Sequence, residues 1–372
     1  MTDTEALFFE ELSRIAPADE AAMRAAERRQ AELAKPPGSL GKLEALSVRL
    51  AGITGEVYNR AEHRRLLVFA GDNGVCAEGV SSAPQSVTLT QSINLSMGRT
   101  GAGVLCRRFA TEVEVYDVGI AAEVRGGRVI DRKLAFGTDN ILYGPAMSRE
   151  NALRALLIGM EAAKKAKRDG MDVIGIGEMG IGNTTTSSAM LAVLTGTPVS
   201  EVTGRGGGLT DEAYLRKLRV IEGAIAVNAP DADEPLDVLA KLGGYDLAAM
   251  AGAFLGAALC RLPVVIDGFI SVVAALTAAR LCPAAKDCMI ASHASYEIGY
   301  RIACRELGLA PMLALDMRLG EGSGCPLAFE ILSAACTVIR EMTTFSDGGI
   351  DDSYLDPIRA CDSFTVEGRD ER

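Results

Sequence analysis

From Arg65 onward the chain repeats one unit: a short apolar run, a turn rich in glycine or polar residues, and a stretch with helical spacing. Apolar strands that alternate with helices are typical of a parallel sheet covered on both faces. The predicted strands are 66–70, 113–116, 173–176, 263–266, 289–291 and 312–315. In such sheets ligands bind beyond the carboxyl ends of the strands. The sequence therefore predicts an α/β fold whose site lies where these strands end.

The charge balance limits the class of partner. The chain has 372 residues and a formal net charge of −11, whereas a nucleic-acid interface requires a basic face. A few local backbone N–H groups can still hold one small anion. We therefore expect small-molecule substrates and no nucleic acid.

Neither a membrane span nor a secretory signal is expected. The longest apolar run without a charge, residues 247–260, has 14 residues, which is too short for a spanning helix. The acidic Asp3 and Glu5 stand where a signal peptide would have basic residues before an apolar stretch. The sequence predicts a cytoplasmic protein with no membrane span.

Side chains that bind metals are scarce. Only His63 and His293 are present, and the nine cysteines form no CxxC pair. Cysteines in apolar stretches are typical of small buried side chains in a reducing compartment. We predict neither a metal site nor another cofactor.

The turn after the strand 173–176 has the densest pattern of glycines and polar residues, GIGEMGIGNTT at 175–185. Glycine lets the backbone approach a ligand, and free N–H groups at a helix start favour a phosphate. Asn183 and the threonines at 184–186 favour one phosphate and one ribose. The turn also fits the dinucleotide pattern GxGxxG, with Glu201 near the spacing of the acid that binds ribose. A tight turn without a ligand is the third interpretation.

A second glycine cluster, GRGGG at 204–208, precedes Lys217 at helical distance. Four glycines in five positions cost chain entropy unless a ligand needs close approach to the backbone. The cluster therefore predicts a second anion site, and a surface hairpin without a ligand is the alternative.

Two further polar groups follow predicted strands. Glu321 stands between glycines in the loop 319–324, where a partly desolvated carboxylate suits a general base; a solvated loop glutamate is the other interpretation. His293 and Ser295 follow the strand 289–291 without the GxSxG turn of a serine nucleophile. A capping serine beside a structural histidine explains that pattern equally well.

Nine segments, taken in order, make the pattern specific. They are KPPGSLGKLE (35–44), AGDNGV (70–75), GVSSAPQSVTLTQ (79–91), GEMGIGNTT (177–185), GRGGG (204–208), DGFI (267–270), SHASYE (292–297), LDMRLGEGSG (315–324) and EMTTF (341–345). In these segments the chain resembles the nicotinate-nucleotide–dimethylbenzimidazole phosphoribosyltransferase family.

The resemblance implies a Rossmann-like fold, with a mostly parallel sheet and helices on both faces. It also implies a small helical domain built from the N- and C-terminal segments. We place the small domain at 1–60 with 340–372 and the catalytic domain at 61–339. The family is typically homodimeric.

The resemblance also implies roles for individual residues. Glu321 matches the catalytic base. The matches to nucleotide and phosphate contacts are Glu178, Met179, Gly180, Asn183, Thr184, Gly204, Arg205, Gly206, Gly207 and Lys217. The matches to the base pocket are Gln91, Ser295, Met179, Gly180 and Leu319, with Ser81 or Ser82 beside them. The family pattern is not followed at Asn73 (often His), Asp246 (commonly Glu) and Cys325-Pro326 (usually small residues).

The implied reaction moves ribose phosphate from nicotinate mononucleotide to 5,6-dimethylbenzimidazole or a related base, for the lower ligand of cobalamin. A ring nitrogen attacks the anomeric carbon with inversion, nicotinate leaves, and Glu321 takes the proton from the other ring nitrogen. The product is α-ribazole 5′-phosphate, and no cofactor takes part. Two other hypotheses are an NAD-dependent oxidoreductase built on the GIGEMG turn and a non-catalytic carrier of a base or nucleotide.

Overall fold

The computed structural model describes residues 2–359. Within that range six strands form one sheet in the order β3-β2-β1-β4-β5-β6, and each neighbouring pair is parallel. The strands are β1 (Arg64–Gly71), β2 (Glu112–Gly119), β3 (Val129–Asp131), β4 (Val173–Met179), β5 (Val264–Ile266) and β6 (Met289–Ala291). This is the strand order of the doubly wound Rossmann fold. The predicted fold class is confirmed.

Helices precede, separate and follow the strands in sequence. They are α1 (Asp3–Ser13), α2 (Glu20–Glu32), α3 (Lys42–Thr54), α4 (Ser86–Ser96), α5 (Gly101–Arg108), α6 (Arg149–Arg168), α7 (Asn183–Thr195), α8 (Val199–Val202), α9 (Asp211–Asn228), α10 (Pro235–Leu242), α11 (Tyr245–Leu259), α12 (Phe269–Leu281), α13 (Gly299–Leu307), α14 (Cys325–Glu341) and α15 (Asp356–Arg359). All eight residues of β1 are buried, as expected for a strand covered on both faces.

The order of the sheet reverses between β1 and β4. The chain runs outward through β2 and β3 on one side and through β5 and β6 on the other. A crevice forms at such a reversal, outside the carboxyl ends of the strands, because the connections leave in opposite directions. The ends of β1 and β4 therefore mark the expected position of the site.

Two strand predictions differ from the structure. Residues 312–315 form no strand, and only Leu313 pairs with His293 as an isolated parallel bridge. The backbone turns away immediately afterwards, since Asp316 has a φ of 52°. The strand β3 was not predicted, because it is a three-residue edge strand that is only partly buried and carries no long apolar run.

The chain divides into two compact units, residues up to 17 with 63–328, and 18–62 with 329 onward. These boundaries differ from the predicted 1–60 with 340–372 and 61–339. Residues before 18 belong to the larger unit because α1 packs on α6 and α11. The second boundary falls inside α14 instead of at its end. Residues 360–372 of the predicted small domain lie outside the described residues.

The smaller unit is helical. Ala22 and Ala26 of α2, Ala51 of α3 and Ile339 of α14 form its buried cluster. Leu33, directly after α2, forms an antiparallel bridge with Thr344. Residues from 18–62 and from the segment after 328, which are far apart in sequence, therefore pack into one small core.

Candidate active site

A cavity of about 250 Å³ lies in the larger unit at the carboxyl ends of β4, β5 and β6. Its lining comes from the segments 81–83, 178–184, 267–271 and 318–321, together with single residues that include Gln91 and His293. The segments 178–184 and 267–271 begin in or directly follow β4 and β5, on one side of the reversal in the sheet, and His293 follows β6. The structure thus brings the polar strand ends together, as the sequence predicted.

The turn after β4 joins an amide to two carboxylates. Gly182, with a φ of 95°, precedes α7, whose first residue is Asn183. The Nδ2 of Asn183 donates to Glu178 Oε2 at 2.6 Å and to Asp246 Oδ2 at 3.0 Å. The start of α7 is therefore fixed to both β4 and α11.

Gly180 is required by close packing between the two central strands. A Cβ at this position would lie 2.4 Å from the carbonyl oxygen of Gly71 and 2.7 Å from Asp246 Oδ2. Gly71 ends β1. Packing alone therefore demands this glycine, in addition to its place in the cavity lining.

A buried cation lies next to the second glycine cluster. Lys217 of α9 is only 1% exposed, and its Nζ donates to Thr184 Oγ1 at 2.9 Å and to the carbonyl oxygen of Gly204 at 3.3 Å. Gly206 and Gly207 line the cavity, and a Cβ on Gly206 would lie 3.8 Å from Lys217 Nζ. The structure therefore brings the two glycine-rich segments and this lysine together, although Lys217 is not itself in the lining.

Gly204 and Arg205 line a neighbouring cavity of about 860 Å³, which also touches Gly206 and Gly207. The Arg205 guanidinium lies over the ring of Tyr214, 5.0 Å from its centroid, and pairs with Asp211 at 2.5 Å. Of the predicted contact residues, Gly204, Arg205 and Lys217 are the ones absent from the lining of the smaller cavity.

Glu321 has a left-handed backbone with a φ of 63° and is 5% exposed. Its N–H donates to Glu178 Oε1 at 3.2 Å, and its Oε2 accepts the N–H of Ala102, at the start of α5, at 3.0 Å. A non-glycine residue with positive φ is uncommon and persists where its surroundings impose it. The alternative of a solvated loop glutamate is wrong.

Asp267, directly after β5, holds the same loop. Its Oδ2 accepts the N–H of Gly322 at 3.1 Å, and its Oδ1 accepts the N–H of Gly324 at 2.7 Å. Gly177 in β4 lets the loop approach, since a Cβ there would lie 2.6 Å from the carbonyl oxygen of Glu321. Carboxylates at the ends of two neighbouring strands therefore position the loop.

Burial shifts the protonation of several of these groups. It raises the pKa of Glu178, and it raises the pKa of both Asp246 and Asp267 to about 7. It lowers the pKa of Lys217 to about 8 and that of His293 to about 4. Perturbed groups of this kind cluster at functional sites.

The remaining predicted residues, Gln91, Ser295 and Leu319, all line the smaller cavity. Gln91 lies on α4, and its Oε1 accepts from Asn94 Nδ2 at 3.1 Å. Leu319 is 59% exposed beside the cavity. These three share the cavity with Glu321 and with the other predicted residues Glu178, Met179, Gly180, Asn183, Thr184, Gly206 and Gly207.

Sequence reasoning did not select Asp267, His293 or Ala102 as site residues. Asp267 follows a buried apolar strand, the same signal that led to Glu178, so this signal was available. Ala102 contributes only a backbone N–H, which no side-chain pattern indicates. Glu201, on which the dinucleotide interpretation depends, is exposed on α8 and is not part of the cavity lining.

Cys325 and Pro326, which do not follow the family pattern, lie at the start of a helix. Cys325 begins α14, and its buried thiol contacts the carbonyl oxygen of Val265 at 3.7 Å. Proline is tolerated in the first turn of a helix because the N–H it lacks has no partner there.

Within residues 2–359, no three or more His, Cys, Asp or Glu side chains are grouped so that they could hold a metal ion. In the same part of the chain, none of the helices is both long and apolar enough to cross a membrane. The expectation that no cofactor takes part stays a prediction.

Comparison with known proteins agrees with this geometry. A phosphoribosyltransferase family model matches residues 15–350. The nicotinate-nucleotide–dimethylbenzimidazole phosphoribosyltransferase of Clostridium perfringens is 49% identical over 92% of this chain and 94% of its own length. That of Desulforudis audaxviator is 48% identical over 93% of this chain and 98% of its own. The crystal structure of CobT from Thermus thermophilus has a TM-score of 0.86 and 39% identity, and covers 89% of this chain and 99% of that one.

These relatives confirm the predicted resemblance and give the oxidoreductase hypothesis no support. The family model spans most of the chain, and the Clostridium perfringens relative is nearly half identical over almost the whole chain. The two findings agree. The chain belongs to the nicotinate-nucleotide–dimethylbenzimidazole phosphoribosyltransferase family.

Proposed function

We propose that this chain transfers the phosphoribosyl group of nicotinate mononucleotide to 5,6-dimethylbenzimidazole or a related base, and releases nicotinate. Relatives at 48% and 49% identity are named for this activity. The observation that carries the proposal for this chain is the carboxylate of Glu321, which is buried in a cavity shared with the glycine-rich turn after β4.

The mononucleotide is assigned to the end of the cavity near the two glycine clusters. A phosphate needs backbone N–H groups that it can reach and a cation nearby. Gly206 and Gly207 line the cavity, and Lys217 Nζ lies 2.9 Å from the lining residue Thr184. We assign the nucleotide contacts to Glu178, Met179, Gly180, Asn183, Thr184, Gly204, Arg205, Gly206, Gly207 and Lys217.

The attacking base is assigned to the end formed by Gln91, Ser295 and Leu319, with Met179 and Gly180 between the two substrates. Leu319 supplies apolar surface, and Gln91 and Ser295 supply polar groups. A planar aromatic base fits a pocket that combines apolar walls with a few polar groups. Ser81 and Ser82 line the same cavity.

Glu321 is the general base in this assignment. One benzimidazole nitrogen forms a bond to the anomeric carbon while the bond between that carbon and the nicotinate nitrogen breaks. The electron pair of the broken bond stays on the nicotinate ring and neutralises its pyridinium charge. The proton on the other benzimidazole nitrogen passes to Glu321. Its Oε2 already accepts the N–H of Ala102, which leaves Oε1 for that proton. Such a base contributes about 10²–10⁴ in rate, and alignment of the substrates contributes most of the rest.

Attack from the face opposite nicotinate converts a β-nucleotide into an α-product. The expected product is therefore α-ribazole 5′-phosphate, the nucleotide of the cobalamin lower ligand.

We also assign a homodimer, a cytoplasmic location and a division into a small helical and an α/β catalytic domain. The family resemblance supports these assignments.

The direct test is incubation of the protein with nicotinate mononucleotide and dimethylbenzimidazole. We expect a product of the mass of ribazole phosphate with α configuration by NMR, and release of nicotinate only when the base is present. Hydride transfer with NAD, combined with stronger thermal stabilisation by NAD than by nicotinate mononucleotide, would contradict the proposal.

A further inference from the structure

Behind the cavity, one amide holds two buried carboxylates. Asn183 Nδ2 donates to Glu178 Oε2 at 2.6 Å and to Asp246 Oδ2 at 3.0 Å. Glu178 lines the cavity and accepts the N–H of Glu321 through its other oxygen. Asp246 is 0% exposed and lies outside the lining. Among the described residues, its side-chain hydrogen bond toward the cavity goes to Asn183, which also holds Glu178.

The second oxygen of Asp246 lies near another buried oxygen. Asp246 Oδ1 and Asn73 Oδ1 are both buried, and neither has a hydrogen-bond partner among the residues described. Both lie beside Gly244 and at most about 5 Å apart, because a Cβ on Gly244 would lie 2.4 Å from Asp246 Oδ1 and 2.6 Å from Asn73 Oδ1. Two neighbouring buried acceptors without a donor are costly unless one of them carries a proton.

The side chains around Asp246 in the described chain are acidic or uncharged. The groups around it are Glu178 from β4, Asn183 from α7 and Asn73 after β1, with the backbone N–H groups of Leu247 and of Asp246 itself at the start of α11. Over the described part of the chain, no lysine or arginine forms an ion pair with it. Two ionised carboxylates on one buried amide would repel each other. Burial first, and then the charge of Glu178, raise the pKa of Asp246 to about 7.

We propose that Asp246 is a neutral carboxylic acid that donates a hydrogen bond from Oδ1 to Asn73 Oδ1. In this form its Oδ2 still accepts from Asn183, and Glu178 keeps the single negative charge of the pair. Asp246 is then a positioning residue: it orients Asn183, which fixes Glu178, which holds the backbone of Glu321. The protonation state of Asp246 is argued without reference to the reaction. The effect of Asp246 on turnover rests on the proposed function.

Infrared difference spectroscopy tests the protonation state without any substrate. At mildly acidic pH, wild type minus Asp246→Asn should show the C=O stretch of a protonated carboxylic acid, since Glu178 and Asp267 contribute to both spectra and cancel. Asn73→Leu should shift this band, because the acceptor of the hydrogen bond is lost. Absence of the band would overturn the proposal; this is the result expected if Asp246 is ionised and accepts from a rotated Asn73 amide.

Turnover tests the positioning role. Asp246→Ala should lower kcat by about tenfold or more with a smaller change in KM, because the geometry around Glu321 loosens. The conservative Asp246→Asn should rescue most of that loss, since its amide can donate to Asn73 and accept from Asn183. If Asp246→Asn folds, as judged by circular dichroism, but loses as much activity as Asp246→Ala, the positioning role of a neutral acid is overturned. If wild type itself is inactive, the proposed function fails, and the infrared result still decides the protonation state.

Discussion

Glu178 accepts the backbone N–H of Glu321 through Oε1 at 3.2 Å, so one buried carboxylate positions the chain that carries another. Both oxygens of Glu178 are engaged, since Oε2 accepts from Asn183. Among the described residues, one oxygen of Glu321 is engaged, by the N–H of Ala102. This asymmetry favours Glu321 over Glu178 as the acceptor of a substrate proton.

The first prediction concerns Glu321→Gln. The amide keeps the shape of the side chain and can still accept from Ala102, but it cannot take a proton. We expect a normal fold and a loss of about 10²–10⁴ in kcat, the range for a general base. The matched control is Glu201→Gln on the exposed α8, which should remain near wild type. Turnover of Glu321→Gln within a factor of about three of wild type would reject the assignment.

The second prediction concerns Gly177→Ala. The added Cβ would lie 2.6 Å from the carbonyl oxygen of Glu321 and 2.7 Å from its carbonyl carbon, and backbone atoms cannot move aside cheaply. We expect a loss of about 1–3 kcal/mol in the free energy of unfolding, typical of overpacking, and a lower kcat. Denaturant unfolding and steady-state kinetics measure the two effects. Gly144→Ala is the control, because no atom lies within 4 Å of its Cβ position.

The third prediction concerns the phosphate. Gly180 is a poor probe of ligand approach, since a Cβ there would meet the carbonyl oxygen of Gly71 at 2.4 Å and deform the sheet. A Cβ on Gly207 would meet only Ser82 Oγ, at 3.3 Å. Gly207→Ala should therefore fold normally and raise KM for nicotinate mononucleotide by about tenfold, equivalent to about 1.4 kcal/mol. An effect on the KM for the benzimidazole alone would show that the two ends of the cavity are reversed.

The fourth prediction is a pH dependence that arises from Lys217. Burial lowers its pKa to about 8, so in the free enzyme its ammonium loses a proton as the pH rises through that value. The proposed attraction for phosphate is lost with the proton. We expect kcat/KM for the mononucleotide to fall above about pH 8 in wild type. Lys217→Met should have a low kcat/KM without this alkaline limb, and the same limb in the variant would contradict the role.

The fifth prediction links Asp246 to stability. The pKa of an aspartate is about 3.9 in an unfolded chain, and burial raises that of Asp246 to about 7 in the fold. Between these values only the folded state holds the proton, so the contribution of Asp246 is fully present at low pH and is lost as the pH rises. Wild type should lose stability relative to Asp246→Asn from about pH 4 to about pH 7, by up to about 1.4 kcal/mol per pH unit. Urea unfolding across this range measures it, and a difference that is constant with pH would refute it.

Five of the six strands could be predicted because each is a short β-rich run that leads into a glycine or polar turn. The strand β3 gives no such signal, since it is short and partly exposed. The run 312–315 gives the signal but pairs only at Leu313, because the chain turns at Asp316 with a positive φ. A local pattern indicates whether a segment can join a sheet, and only the path of the neighbouring chain decides whether it does.

The residues of the site could be predicted by type and by their place after a strand, but their contacts could not. Glu321 and Ala102 are 219 positions apart, and Asp267 holds Gly324 across 57. Such pairs depend on how the strands are ordered in the sheet, which no local pattern specifies. The roles of Glu321, Lys217 and the two glycine clusters stay predictions until the variants above are measured.

The loop that carries Glu321 contains three glycines in five residues, a composition typical of a flexible segment, yet its N–H groups at 321, 322 and 324 donate to Glu178 and Asp267 at the ends of β4 and β5. An amide exchanges its hydrogen with deuterium from the solvent only when its hydrogen bond opens. These three amides should therefore exchange with the slow kinetics of the central sheet instead of those of an open loop. The proposed base moves with the sheet, so the arrival of substrate need not order it.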